Sequence, residues 1–144
     1  MPTARSGAKR PRRTLSPPLP CVQRPRMLLV EDDADLAAHL ERIAHSLVPE
    51  LSVDRTTSVV EAKALLEVRD YALVVADYLL EGRESGITLR AVCEDCSVTR
   101  FALMSAFAVR EVLENDGAAA CPFLPKPFTT AQCREFLRPL LAAP

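Results

Sequence analysis

Four short apolar runs in the chain are followed by polar side chains that could work together. Met27–Val30 runs into Glu31-Asp32-Asp33, Tyr71–Ala76 into Asp77, Phe101–Met104 into Ser105, and the run up to Leu124 is followed by Lys126. Two or three carboxylates brought together repel one another, which is costly unless a cation neutralises them. A hard divalent ion with oxygen ligands suits such a cluster, and Mg²⁺ keeps several waters while taking one or two carboxylates plus phosphate oxygens. The matching chemistry is phosphoryl transfer, which needs an in-line nucleophile and positive charge around the moving oxygens. A carboxylate can be that nucleophile and form an acyl phosphate. On this reading Mg²⁺ bridges Asp77 and the incoming phosphoryl group, the Lys126 ammonium pairs with a second oxygen, and the Ser105 hydroxyl donates to a third. No group in the set is left over to hydrolyse an organic substrate. Taken singly each residue is ordinary, because an acid at a strand end is more often a turn residue or a helix cap. Asp33 and Asp35 are read as only that. The ordered combination carries the inference.

For residues 31, 32, 77, 105 and 126 to converge on one pocket, the apolar runs must be strands sharing an edge of a sheet. Met27–Val30 is too short for a helix and suits a buried strand. Asp33 or Asp35 can cap a following helix whose Leu36, Leu40, Ile43 and Leu47 form one stripe, and Pro49 closes it. Leu51–Thr57 reads as a second strand, and Ser58 caps a helix with Val59, Ala62, Leu65 and Leu66 inward. Tyr71–Ala76 is a third strand, and a loop through residues 81–86 leads to a helix near Ile87–Glu94. Phe101–Met104 is a fourth strand, followed by a weakly amphipathic helix around Val109–Glu114. Ala119–Leu124 supplies a fifth strand, and Thr129–Leu141 a final helix with Phe136, Leu137, Leu140 and Leu141 inside. Five such alternations imply an α/β fold, a five-stranded parallel sheet with helices on both faces. Without a Gly-rich first turn, this doubly wound sheet is expected in the flavodoxin-like order 2-1-3-4-5. Its ligands bind outside the carboxyl ends of the strands.

Charge divides the chain in two. Residues 1–26 hold seven basic side chains, no acidic one and six of the twelve prolines, too little apolar surface to offset chain entropy. They are expected to be a disordered basic tail: a tether, a leader, or sequence upstream of a true start at Met27. Residues 27–142 are expected to be the single folded domain. The 118 residues from Met27 onward hold 11 basic and 19 acidic groups, a net charge of 11 − 19 = −8. So acidic a body argues against direct DNA binding, which needs Lys and Arg against phosphates. No apolar run approaches the roughly 18 residues that cross a bilayer, and no secretory h-region is present, so no membrane association and a cytoplasmic location are expected. The five cysteines include one lone Cys93-Glu94-Asp95-Cys96 pair without the further ligands zinc requires, and read as reduced thiols.

The chain resembles the receiver domains of bacterial response regulators over about residues 27–142. Leu28-Leu29-Val30-Glu31-Asp32-Asp33 is similar to that family's opening strand and acidic pair, and Val74-Val75-Ala76-Asp77-Tyr78 to its phosphoacceptor strand. Ser105-Ala106 is similar to its hydroxyl-plus-small-residue switch, and Phe123-Leu124-Pro125-Lys126-Pro127-Phe128 to its lysine motif. The resemblance implies that Glu31, Asp32, Asp77 and the backbone carbonyl of Leu79 bind Mg²⁺. It implies that Asp77 is phosphorylated, that Ser105 and Phe123 switch, and that the Lys126–Pro127 bond is commonly cis. The chain departs from the family in four places: Glu31 replaces the usual Asp, and Glu81 stands where Pro is common. The loop glycine, Gly86, comes one residue late, and Phe123 stands where Tyr is frequent.

The function the resemblance implies is a switch. A histidine kinase or histidine phosphotransfer protein donates a phosphoryl group to Asp77, and the domain catalyses only its own phosphorylation and dephosphorylation. The change alters affinity for a downstream protein target. Alternatives are a degenerate receiver acting as an interaction module, and a receiver fragment of a hybrid histidine kinase. A magnesium-dependent aspartyl-phosphate hydrolase would want a second acid where Leu79 stands. A phosphoacceptor at His39 or His45 would suit a helical bundle, which this pattern is not.

Overall fold

The computed structural model describes residues 24–80, 85–95, 99–106 and 121–142. Its elements in chain order are β1 (Arg26–Val30), α1 (Ala34–Leu47), β2 (Ser52–Thr56), α2 (Val59–Val68), β3 (Leu73–Asp77), α3 (Thr88–Glu94), β4 (Arg100–Ser105), β5 (Phe123–Pro125) and α4 (Thr130–Leu141). All strand pairs are parallel, in the order β2-β1-β3-β4-β5. This is the expected flavodoxin-like order.

Side-chain alternation along the strands sorts the core into two layers. Met27, Leu29, Leu73, Val75, Ala102, Met104 and Leu124 face α1 and α4. Leu28, Val30, Val74, Ala76, Phe101 and Leu103 face α2 and α3. The central β3 is buried along its whole length, which is why its sequence reads as an unbroken apolar run rather than an alternating one.

Local chemistry sets the element ends. The Asp33 carboxylate accepts hydrogen bonds from the backbone N–H groups of Asp35 and Leu36 and so caps α1. Ser58 caps α2, and Thr129 with Gln132 makes a reciprocal capping box on α4. At the other end of α4, Arg100 donates to the carbonyls of Pro139, Leu140 and Ala142. This satisfies acceptors that a helix terminus leaves open.

Some details differ from the sequence expectations. The buried stripe of α1 is Ala37, Leu40, Ile43 and Ala44, with Leu36 and Leu47 only half-buried. Alanine carries little weight in an apolar pattern, yet its small side chain lets the helix sit close to the sheet. Strand β5 spans Phe123–Pro125; of the expected strand Ala119–Leu124, residues 119 and 120 lie outside the described residues, and Cys121 and Pro122 precede the paired strand. Within α4, Cys133 and Leu137 form the fully buried seam, while Phe136, Leu140 and Leu141 pack at its edge. Pro25 and Arg26 already take part in the sheet, since the Pro25 carbonyl accepts from the Ser52 N–H and that of Arg26 from Ala72. The helix expected at Val109–Glu114, part of the 81–86 loop and almost all of the expected 1–26 tail lie outside the described residues. Among the described residues no helix is long and apolar enough to cross a membrane.

Candidate functional site

The strand order reverses at β1, and the crevice between the ends of β1 and β3 is where such sheets bind ligands. Glu31, Asp77 and Lys126 each lie two positions after a core residue of the α1/α4 layer, respectively Leu29, Val75 and Leu124. Alternation therefore sends all three toward the same side of the rim. The Lys126 Nζ stands 2.9 Å from Glu31 Oε1 and 2.9 Å from Asp77 Oδ2. Strand β5 lies two strands from β3, roughly 10 Å across the sheet, so only a long side chain closes the gap. Lysine does so on its four-carbon stem. Glu31, one methylene longer than the aspartate usual in the resembled family, meets it from β1.

The backbone holds these groups in place. The Glu31 N–H donates to the Thr56 carbonyl at 3.0 Å, and Glu31 Oε2 accepts from the Asp33 N–H at 3.0 Å. The Lys126 N–H donates to the Ser105 carbonyl at 2.7 Å, joining the hydroxyl-bearing and lysine-bearing strand ends. The Lys126–Pro127 peptide is cis.

One ligand oxygen from each of Glu31, Asp32 and Asp77 falls within 4.8 Å of the others. Glu31 and Asp77 are buried and Asp32 is half-buried. Burial pushes the Glu31 carboxyl up to about 6, outweighing the Lys126 hydrogen bond and the Asp33 N–H that pull it down. For Lys126, burial alone would lower the pKa, but the hydrogen bonds to Asp77 and Glu31 prevail and raise it. One ammonium thus faces three carboxylates, and the excess negative charge in a partly dry rim fits a further cation. An all-oxygen donor set is the kind hard divalent ions take.

Ser105 is buried and continues the parity of Leu103, so it approaches the rim from the α2/α3 side, opposite to Asp77. Phe123 is half-buried against that same layer. Leu79 lies just beyond Asp77, its side chain exposed and its N–H 3.4 Å from Asp77 Oδ1. Neither His39 nor His45 joins the rim; His45 Nε2 bonds to the Leu51 carbonyl, and His39 contacts Arg42 and Thr130. Cys93 is buried in the α2/α3 layer, and Cys96 lies outside the described residues.

Gly86 was legible in the sequence only as a displaced loop glycine. A Cβ there would lie 2.1 Å from the Asp77 carbonyl oxygen and 3.0 Å from Ala76 Cβ. Its N–H donates to the Tyr78 carbonyl at 2.9 Å, and Leu79 bridges Ser85. The late glycine therefore lets the chain at Ser85 and Gly86 lie close against the backbone of the Asp77 segment.

No family model matches the chain, and no curated protein does. Solved structures do. The non-phosphorylated HemR receiver domain from Leptospira biflexa is 28% identical with a TM-score of 0.67, the match covering 84% of this chain and 98% of that one. A response regulator from Thermotoga maritima is 20% identical at a TM-score of 0.68, covering 84% and 100%. The chemotaxis response regulator CheY4 of Vibrio cholerae is 14% identical at 0.67, covering 83% and 100%. With five parallel strands in the order 2-1-3-4-5 and this likeness along the described body, the chain has the receiver fold of response regulators.

Proposed function

We propose that the chain is a phosphorylatable receiver, with Asp77 accepting a phosphoryl group from a histidine kinase or a histidine phosphotransfer protein. The observation that carries this reading is the Lys126 ammonium held between Asp77 and Glu31 beside Asp32. A purely structural ion pair needs neither the third carboxylate nor the buried hydroxyl of Ser105 nearby.

Glu31, Asp32, Asp77 and the Leu79 carbonyl would hold Mg²⁺, which when bound neutralises the carboxylates and draws charge from the phosphoryl oxygens. A carboxylate oxygen of Asp77 attacks phosphorus as the donor's nitrogen–phosphorus bond breaks, and the departing imidazole takes its proton from solvent. Lys126 exchanges its contact with Asp77 for one with a phosphoryl oxygen, and the Ser105 hydroxyl donates to another. Movement of Ser105 toward the phosphoryl group leaves room against the α2/α3 layer into which Phe123 rotates. That changes the surface offered to a downstream protein target. On this reading the domain turns over no external substrate. Residues 27–142 act as the receiver unit, residues 1–26 form a basic tail, and the protein works in the cytoplasm.

Incubation with Mg²⁺ and acetyl phosphate should yield a hydroxylamine-labile adduct on Asp77. It should be absent from Asp77→Asn and without Mg²⁺, and form about 10²-fold more slowly in Lys126→Met. A chain that stays unmodified under these conditions, while folded, would be an interaction module instead.

A further inference from the structure

Glu31 and Asp32 are neighbours in the chain but differ in what their carboxylates meet. Glu31 Oε1 lies 2.9 Å from Lys126 Nζ, and its Oε2 accepts from the Asp33 N–H at 3.0 Å, so each oxygen already has a donor. The Glu31 side chain is 1% exposed, whereas Asp32 is half-buried. At Asp77 the two oxygens are unequal. Oδ2 meets Lys126 at 2.9 Å, while the Leu79 N–H stands 3.4 Å from Oδ1, beyond the usual range of about 2.7–3.2 Å. A hard divalent ion keeps several of its waters, so it suits carboxylates that solvent reaches. Asp32 meets that condition and Glu31 does not. Drawing Glu31 onto the ion would also take an acceptor from both the Asp33 N–H and the ammonium.

We infer that Glu31 is a positioning residue for Lys126 rather than a direct ligand of the divalent ion. It keeps hold of the ammonium while Lys126 exchanges Asp77 for a phosphoryl oxygen, and Asp32, Asp77 and the Leu79 carbonyl take the ion. This rests on the phosphorylatable reading and narrows the share in the metal given to Glu31 there. The side-chain length fits the task. Strands β1 and β5 are three spacings apart in the sheet, roughly 14 Å, and two long side chains close that gap. An aspartate at position 31 would fall short by one carbon–carbon bond, about 1.5 Å. The charges fit as well. An ammonium and a divalent cation drawn to the same Asp77 carboxylate repel each other. A second buried anion committed to Lys126 holds the ammonium beside Asp77 when the ion arrives.

Two measurements on the full chain test it. Calorimetric titration with Mg²⁺ alone, no phosphodonor present, should show Asp32→Asn binding at least about tenfold more weakly, and Glu31→Gln within about threefold of the native chain. The rate of Asp77 modification by acetyl phosphate at saturating Mg²⁺ should nonetheless fall about tenfold in Glu31→Gln. In a Lys126→Met background the same substitution should change that rate less than about twofold, the non-additivity of residues that act as one unit. Glutamine keeps the shape of the side chain, so circular dichroism should show Glu31→Gln folded. Mg²⁺ binding weakened about tenfold or more by Glu31→Gln, or a rate loss that multiplies with that of Lys126→Met, would overturn the inference while leaving Asp77 as the phosphoacceptor. A native chain that binds no Mg²⁺ or is never modified would overturn the phosphorylatable reading, and this inference with it.

Discussion

The oxygen of the Asp77 carbonyl is hemmed in by a residue nine positions away. Most glycine-to-alanine changes in loops are cheap when the conformation is compatible, but at Gly86 the added methyl meets backbone rather than a flexible side chain. Neither β3, buried along its length, nor the loop tied to it through Tyr78 and Leu79 can yield without losing a hydrogen bond. Gly86→Ala should therefore cost about 1–3 kcal/mol in urea denaturation. A loss below about 0.5 kcal/mol, typical of a surface change, would show that the loop backs away freely. The glycine is plain in the sequence; which backbone atom it touches depends on the loop length between Asp77 and Gly86, and sequence pattern does not measure that distance.

At the scale of elements, the acids after β1 divide their labour. Glu31 and Asp32 face the rim, whereas the Asp33 side chain caps α1 with bonds of 3.0 and 3.1 Å to the N–H groups of Asp35 and Leu36. Asp33→Ala should cost about 1 kcal/mol of stability. Because Glu31 is held by the backbone N–H of Asp33 and not by its side chain, the rate of Asp77 modification should change less than twofold. A large rate loss in a well-folded Asp33→Ala protein would place that carboxylate in the site. Helix caps and strand runs were legible because they depend on near neighbours. The length of β5 was not, since Pro122 and Cys121 continue the apolar run outside the paired strand.

For the molecule as a whole, one carboxylate away from the rim ties separate stretches together. Asp54 on β2 accepts from Tyr71 Oη at 2.6 Å and Arg69 at 2.7 Å, and pairs with Arg26 at 3.5 Å. It thereby joins the start of β1, the end of α2 and the approach to β3. Burial would raise the Asp54 pKa, but the hydrogen bonds from Tyr71 and Arg69 prevail and hold it below its ordinary 3.8. Burial and the same contact push the Tyr71 hydroxyl up to about 12. A carboxyl depressed by folding contributes stability above its unfolded pKa and loses it as pH falls through the folded value. The melting-temperature advantage of the native chain over Asp54→Asn should thus be level above pH 3.8 and shrink on acidification below it. A gap that persists unchanged into strong acid would show that the charge of Asp54 is not what stabilises.

The sequence alone determined the alternation of strands and helices, the parallel sheet and the acids, hydroxyl and lysine at the strand ends. Each of these is written in local periodicity and in the residue that stops a run. Tertiary structure decided what no local pattern holds. It decided that Lys126 spans two strands to reach Asp77, that Glu31 meets it from the far side, that Gly86 abuts the Asp77 carbonyl, and that Arg100 closes a helix some forty residues on. Those contacts depend on strand order and register, which arise from packing two apolar layers against one sheet rather than from any neighbour in the chain.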